Sequence, residues 1–338
     1  MKFSKISLFA LLAVCAVLPG CKKDSETSKS YLSGSLSLSM PSFVAPGYTK
    51  TFDIEELMTL SREDGGTIGY YFKAPVTSVY DTLVLADGTV RKRYYTVEVP
   101  DSLGKQSLTL GAFTDDDIYY GSSAAVSFTV VKAGLDNKGS ITGFTHALTD
   151  GSFTDPRDGR LYYTTTIDGT EWMRHNLAWE GSGIAYGSCD VMSDIFGRYY
   201  TWEEAQTACP EGWSLPTDED WVAVGRKYGS GAASGKDLEG LAGNVMENLY
   251  FNGERMWEFW RGVKITDKSR LSVMPSGYFL IKGDVYTNDA LNEYAAFWTS
   301  DKVGEDGVLR YIYEDKDTVY RGLMSTTDFA ASVRCVRK

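Results

Sequence analysis

The chain has 338 residues, with 34 Lys+Arg against 45 Asp+Glu, a formal charge of -11 and a pI near 4.8. An acidic chain without a Lys/Arg-rich run excludes a nucleic-acid partner, because the phosphate backbone demands concentrated basic charge. Hydrophobic content of 43% supports real cores, the interspersed charges exclude a disordered solvating chain, and at about 100–200 residues per domain two domains are expected.

Residues 1–20 read as a secretory signal. Lys2 and Lys5 precede the apolar run from Ile6 to Val17, and Leu18-Pro19-Gly20 leads to Cys21. The apolar run is too short to span a bilayer comfortably, which disfavours a transmembrane anchor. Leu18-Pro19-Gly20-Cys21 resembles a bacterial lipobox, which implies cleavage before Cys21 and acylation of that cysteine. Cleavage would remove two lysines and no acid, taking the charge from -11 to -13. Several acyl chains, at about 0.8 kcal/mol per buried CH2, give stable membrane residence without a spanning segment. Residues 21–30 hold no apolar residue after Cys21 up to Ser30 and read as a solvated tether. The expected location is the outer membrane, facing outward.

Residues 31–133 alternate apolar and polar positions in short runs. Expected strands are Leu36–Met40, Ile68–Phe72, Thr82–Leu85, Tyr94–Val99, Ser107–Phe113 and Ala125–Val131, with Asp87-Gly88 as a hairpin turn. About seven strands in roughly 100 residues is the arithmetic of an immunoglobulin-like sandwich, although the Cys–Trp–Cys hallmark is absent. Tyr119-Tyr120 suits strand-edge packing better than a contact site. The triplet Asp115-Asp116-Asp117 lacks EF-hand spacing and reads as a solvated turn. Residues 134–149 open on a polar, glycine-bearing stretch and read as a linker. Beyond it the composition changes, since all eight tryptophans lie at or after Trp172 and no cysteine stands between Cys21 and Cys189.

From residue 150 to 338 the text becomes specific. Asp155-Pro156-Arg157-Asp158-Gly159-Arg160-Leu161-Tyr162-Tyr163 is followed by Thr170-Glu171-Trp172-Met173-Arg174-His175-Asn176-Leu177 and Gly197-Arg198-Tyr199-Tyr200-Thr201-Trp202. Ala208-Cys209-Pro210-Glu211-Gly212-Trp213-Ser214-Leu215-Pro216-Thr217, Ala296-Phe297-Trp298-Thr299-Ser300 and Ser332-Val333-Arg334-Cys335-Val336-Arg337 complete the series. In this order they resemble the Fibrobacter succinogenes major paralogous domain, a family of secreted and lipid-anchored bacterial proteins. The resemblance implies an α+β fold similar to C-type-lectin-like domains and the sulfatase-modifying-factor group. It also implies a disulfide between Cys209 and Cys335, which would leave Cys189 over. Closing a loop of that length stabilises by about 4–5 kcal/mol in the chain-entropy model.

Local signals agree with an α+β pattern. Thr201-Trp202-Glu203-Glu204 is a capping box, with Trp202, Ala205 and Cys209 on one face of the helix that follows. A second helix starts at Thr217, carries Asp218-Glu219-Asp220 at its positive end, buries Trp221, Val224 and Tyr228, and stops at Gly229. Strands are expected at 271–281, 295–300, 308–314, 318–324 and 329–337.

No catalytic, metal or cofactor constellation emerges. Only His146 and His175 exist, neither at ligand spacing from the other, and no nucleophile elbow stands in the second half. Ala242-Gly243-Asn244-Val245-Met246-Glu247 resembles a segment of the formylglycine-generating enzymes, but without a closely spaced cysteine pair it implies fold and not activity. Lectin-type calcium motifs are absent. The aromatic-rich segment from Tyr250 to Tyr294 remains, with Trp257, Trp260, Tyr286 and Tyr294 as ligand-contact candidates. Trp257 and Trp260 fit either core or contact surface, and Tyr286 and Tyr294 are the pair expected to be exposed. The expectation is therefore a non-enzymatic, lipid-anchored envelope protein that binds a polysaccharide or a surface protein. Alternatives are a subunit of a surface assembly such as a fimbria, or a degenerate relative of formylglycine-generating oxidases.

Overall fold

The computed structural model describes residues 29–73, 78–86, 90–116, 118–134, 137–145, 149–231 and 236–338. The signal sequence, Cys21, most of the tether, Asp87-Gly88, Asp117 and His146 lie outside the described residues. The structure is mostly β and divides into two compact units. Among the described residues no helix is long and apolar enough to cross a membrane.

Among the described residues the first unit comprises 29–40, 47–100 and 105–128. Thr49–Asp53, Val90–Glu98 and Ser78–Ala86 form one antiparallel sheet with Val90–Glu98 in the centre. A second sheet sets Gly104–Phe113 between Gly69–Lys73 and Ser122–Val130. Alternation decides which side chains turn inward. Leu108, Leu110 and Ala112 are buried, as are Phe52, Val97 and Phe128. The expected strand over Leu36–Met40 does not form. Leu36 makes an isolated bridge to Met58, Leu36 and Leu38 lean on the cluster of Ile54, Tyr95 and Leu110, and Pro41, which has no N–H to donate, follows directly. Tyr119 is buried, whereas Tyr120 is exposed and stacks on Tyr31 at 4.9 Å. Asp116 binds Arg62 rather than standing free in a solvated turn.

The second unit comprises residues 41–46, 101–104 and 129–338. Its largest sheet runs in the order Leu238–Glu239, Thr318–Ser325, Asp306–Tyr313, Tyr294–Val303, Phe329–Ser332, Tyr278–Lys282, Val285–Asp289, with Tyr199–Tyr200 also paired to Phe329–Ser332. A four-stranded sheet joins Gly151–Thr154, Leu161–Ile167, Thr170–Met173 and Val336–Arg337. One core lies on one face of the large sheet around Trp172, Trp221, Trp257 and Phe297, and another, around Trp213, Trp298 and Phe329, uses the opposite face.

The two main helices begin where their sequences direct. Before Trp202–Ala208, the Thr201 hydroxyl accepts from the Glu204 amide at 3.2 Å, and the Glu204 carboxylate accepts from the Thr201 amide at 2.8 Å. Thr217 and Asp220 repeat this arrangement before Asp218–Tyr228, so Asp220 is a capping partner as well as a helix-terminal charge. The second helix ends at Gly229, where an added Cβ would lie 2.6 Å from the Gly225 carbonyl oxygen. Trp221 and Val224 are buried as expected, and Tyr228 is half-buried against the same core.

Three departures stand out. The expected linker is folded into the second unit: Ser140 and Phe144 are buried, and Ile141–Thr142 pairs with Tyr250–Phe251. Polar neighbours had concealed two apolar anchors, Ile141 and Phe144, whose burial outweighs the local composition. A helix also forms at Asp190–Phe196, with Cys189 at its N-cap making no side-chain capping bond. The strand expected from residue 271 begins only at Tyr278, because Arg270 and Ser272 adopt left-handed backbone angles incompatible with a strand.

Candidate functional site

Cys209 and Cys335 are disulfide-bonded with Cα atoms 5.8 Å apart, joining the C-cap of Trp202–Ala208 to the residue before Val336–Arg337. Cys189 is free and half-buried. The Arg174-His175-Asn176 run lies inside the molecule. His175 is buried, with ring centroids 4.6 Å from Phe144 and 5.6 Å from Tyr163. Arg174 donates to the Ser272 hydroxyl at 2.6 Å, and Asn176 accepts from buried Arg334 at 2.7 Å. Glu247, which closes the Ala242–Glu247 segment, accepts from the Thr145 amide at 2.9 Å. Asn244 donates to the carbonyls of Tyr228 and Gly240. These contacts hold backbone segments together, which is structural chemistry. Among the described residues no group of three or more His, Cys, Asp or Glu could hold a metal ion.

The four aromatic candidates separate. Trp257 is in the core, 1% exposed, and its indole donates to the Val273 carbonyl at 2.9 Å. Trp260 is 40% exposed and stands beside Glu314. Tyr286 is exposed as expected. Tyr294 is not: it is only 8% exposed, because four other tyrosine-bearing positions crowd the same sheet face. That crowding defines a surface that no single segment of the sequence signals.

Strand register builds it. In Asp306–Tyr313 the residues Leu309, Tyr311 and Tyr313 share one face, while Val308, Arg310 and Ile312 share the other. Tyr294 pairs directly with Tyr313, and Tyr311 with Tyr320. Tyr311 stacks on Tyr320 at 5.3 Å and on Tyr294 at 5.5 Å, and Tyr278 meets Tyr294 edge-on at 5.3 Å. Tyr313, 45% exposed, lies edge-on to Tyr294 at 5.1 Å and to Tyr311 at 5.6 Å. Gly322 makes room for this: a Cβ there would sit 3.0 Å from the Tyr311 ring. Toward the other end of the face, Trp202 reaches across from its helix, donating to the Thr299 carbonyl at 2.9 Å.

Stacking fixes how the face presents itself. Rings that lean on one another use their faces internally and turn edges and hydroxyls outward, whereas the crosswise Tyr313 keeps ring surface available. Carboxylates surround the row. The Tyr278 hydroxyl donates to Asp289 at 3.3 Å, and burial, followed by the Asp289 charge, pushes its pKa up to about 12. Glu293 also acts on Tyr278, and Asp237 acts on Tyr311. Burial likewise raises Tyr294 and Tyr311 above the usual phenol range, so both remain neutral hydroxyls at physiological pH. The result combines phenolic donors and acceptors, carboxylate acceptors and one open aromatic ring. Tyr286 belongs elsewhere: paired with Ile281, it points to the opposite face of its hairpin from Tyr278.

The class this defines is a mostly-β protein with a polar, aromatic sheet face. The family model described as the Fibrobacter succinogenes major domain matches residues 161–337, and the chain belongs to that family. No curated protein matches the chain. Among solved structures, the Yersinia pseudotuberculosis adhesin InvE aligns at 9% identity over 91% of this chain and 99% of its own, with a TM-score of 0.23. That score is too low to bear on fold or function.

Proposed function

We propose that this protein is a lipid-anchored component of the bacterial outer membrane, exposed at the cell surface, whose second unit binds a polysaccharide without chemical turnover. In this reading the first unit is an immunoglobulin-like spacer and the second a C-type-lectin-like module. Family membership supports the surface setting. The observation that carries the ligand class is the tyrosine row of Tyr278, Tyr294, Tyr311, Tyr313 and Tyr320 with Asp289 beside it. Sugar hydroxyls need partners that both donate and accept, and sugar C–H faces need an aromatic surface; this row supplies both.

A glycan array probed with the secreted chain tests the proposal. Binding of at least one polysaccharide class is expected, with loss in Tyr313→Ala and Tyr320→Ala variants that retain their folded signatures. Blank arrays, or binding indifferent to both substitutions, would remove the glycan reading. Protease shaving of intact cells should cut the protein; full protection would count against exposure.

A second reading, a subunit of a surface assembly, draws support from Val285–Asp289. This strand is the border of the large sheet, with Val285 63% and Tyr286 53% exposed. An open strand edge can accept a strand from a partner chain. Recovery of stoichiometric surface-protein partners after mild detergent extraction would favour it.

A further inference from the structure

The second unit also contains a pocket of about 340 Å³ that shares no residue with the tyrosine row. Leu161, Tyr162, Ala178 and Ile195 give it apolar walls, and Arg160, His175, Asn176 and Asp194 are among its polar groups, His175 being packed between Phe144 and Tyr163. Those polar groups are largely committed already. Asn176 donates to the Phe196 carbonyl at 2.8 Å and accepts from Arg334 at 2.7 Å. Arg160 donates through Nε to Asp194 at 2.9 Å, through Nη1 to Asp158 at 2.9 Å and through Nη2 to Glu180 at 2.7 Å. The Tyr162 hydroxyl accepts from the Ala178 amide at 3.1 Å.

The charge at the mouth is unbalanced. The Arg160 guanidinium bonds three carboxylates, engaging Oδ1 of Asp194 and Oε1 of Glu180, and Arg198 adds a second positive charge near Glu180, so two cations face three carboxylates. Oδ2 of Asp194 is left as an acceptor lining the cavity, and Oε2 of Glu180 as one held just outside the lining by its bond to Arg160. A neutral occupant gains less from that rim than a cation does, and an anion is repelled. An amino sugar has the right charge but carries several hydroxyls, and the walls offer them few uncommitted partners, which penalises their burial. A lysine side chain fits both halves, because its methylene stem buries against apolar surface while its ammonium stays at a polar rim.

We propose that this pocket receives a lysine side chain from a protein partner, with the stem between Leu161 and Ile195 and the ammonium donating to Asp194 and Glu180. The proposal goes beyond the polysaccharide reading and uses separate residues, so either can fail without the other.

The test titrates the full secreted chain with Nα-acetyl-lysine methylamide, followed by saturation-transfer NMR, with the norleucine analogue and glucosamine in parallel. The lysine probe should bind with a dissociation constant of about a millimolar, and both comparison probes about tenfold more weakly or not at all. Asp194→Asn should weaken the lysine probe about tenfold. Leu161→Arg, at a residue 48% exposed, should abolish binding by placing its own cation at the rim. Should Asp194→Asn not fold, Glu180→Gln at a half-exposed side chain carries the same test. Equal binding of the norleucine analogue, equal or tighter binding of glucosamine, no binding of the lysine probe, or indifference to these carboxylate substitutions would each overturn the proposal.

Discussion

Replacing Cys209 and Cys335 together by alanine should destabilise the second unit heavily and leave the first almost untouched. The bridge spans 126 residues of sequence. In the chain-entropy model, closing a loop of that length removes about 16 cal/mol/K from the unfolded ensemble, or about 5 kcal/mol at room temperature. Cys335 is fully buried in the core of Trp213, Trp298 and Phe329, so deleting its sulfur adds a packing loss of about 1 kcal/mol. Urea unfolding followed by tryptophan fluorescence isolates the effect, because all eight tryptophans lie at or beyond Trp172, within the second unit. The midpoint, which is stability divided by m, should fall both because stability drops and because m rises as the uncrosslinked chain unfolds further. A loss under about 1 kcal/mol with unchanged m would refute the reasoning. It would mean that the two segments stay close in the unfolded chain without the bond.

Other substitutions should respond as follows. Arg310 is fully buried and donates to Asp218 at 2.7 Å, so Arg310→Ala should lower stability by about 3 kcal/mol in thermal unfolding, and Arg310→Met by less, since methionine refills the volume. Thr201→Ala and Thr217→Ala should each lose about 1 kcal/mol by opening a capping box, measurable by the same method. Burial, with Glu247 close by, pushes the Asp267 carboxyl up to about 8, above its value in the unfolded chain. A group raised on folding stabilises below its unfolded pKa and loses that contribution as pH rises through the folded value. Stability should therefore fall between about pH 4 and about pH 8 by a component that Asp267→Asn removes, and an identical slope in the variant would contradict it.

The two main helices are legible in the sequence because their signals are local. Thr201 and Glu204, like Thr217 and Asp220, stand three residues apart and need no distant partner to form their caps. The tyrosine row is not legible, since it exists only once Tyr294 is in register with Tyr313 and Tyr311 with Tyr320. Nothing in the separate strands states that register. Trp257 and Trp260 differ only in what covers them: one reaches the Val273 carbonyl inside the core and the other stands in a loop beside Glu314. Asp190–Phe196 escaped notice because Cys189 supplies no capping oxygen, and the usual starting signal of a helix is missing.

The four-stranded sheet has a consequence for how this module travels between proteins. Leu161–Ile167 lies on one side of Thr170–Met173 and Val336–Arg337 on the other, so the first and last strands of the family-matched segment are two strand spacings apart, about 10 Å. A short peptide could bridge that gap. The module could then be circularly permuted, or spliced into a surface loop of an unrelated scaffold, without pulling its flanks apart. A gene segment encoding it is thus portable as a cassette: Arg337 is level with Thr166, five residues along the strand from Leu161, so entry and exit lie on one sheet about 19 Å apart, a gap that a linker of about six residues closes.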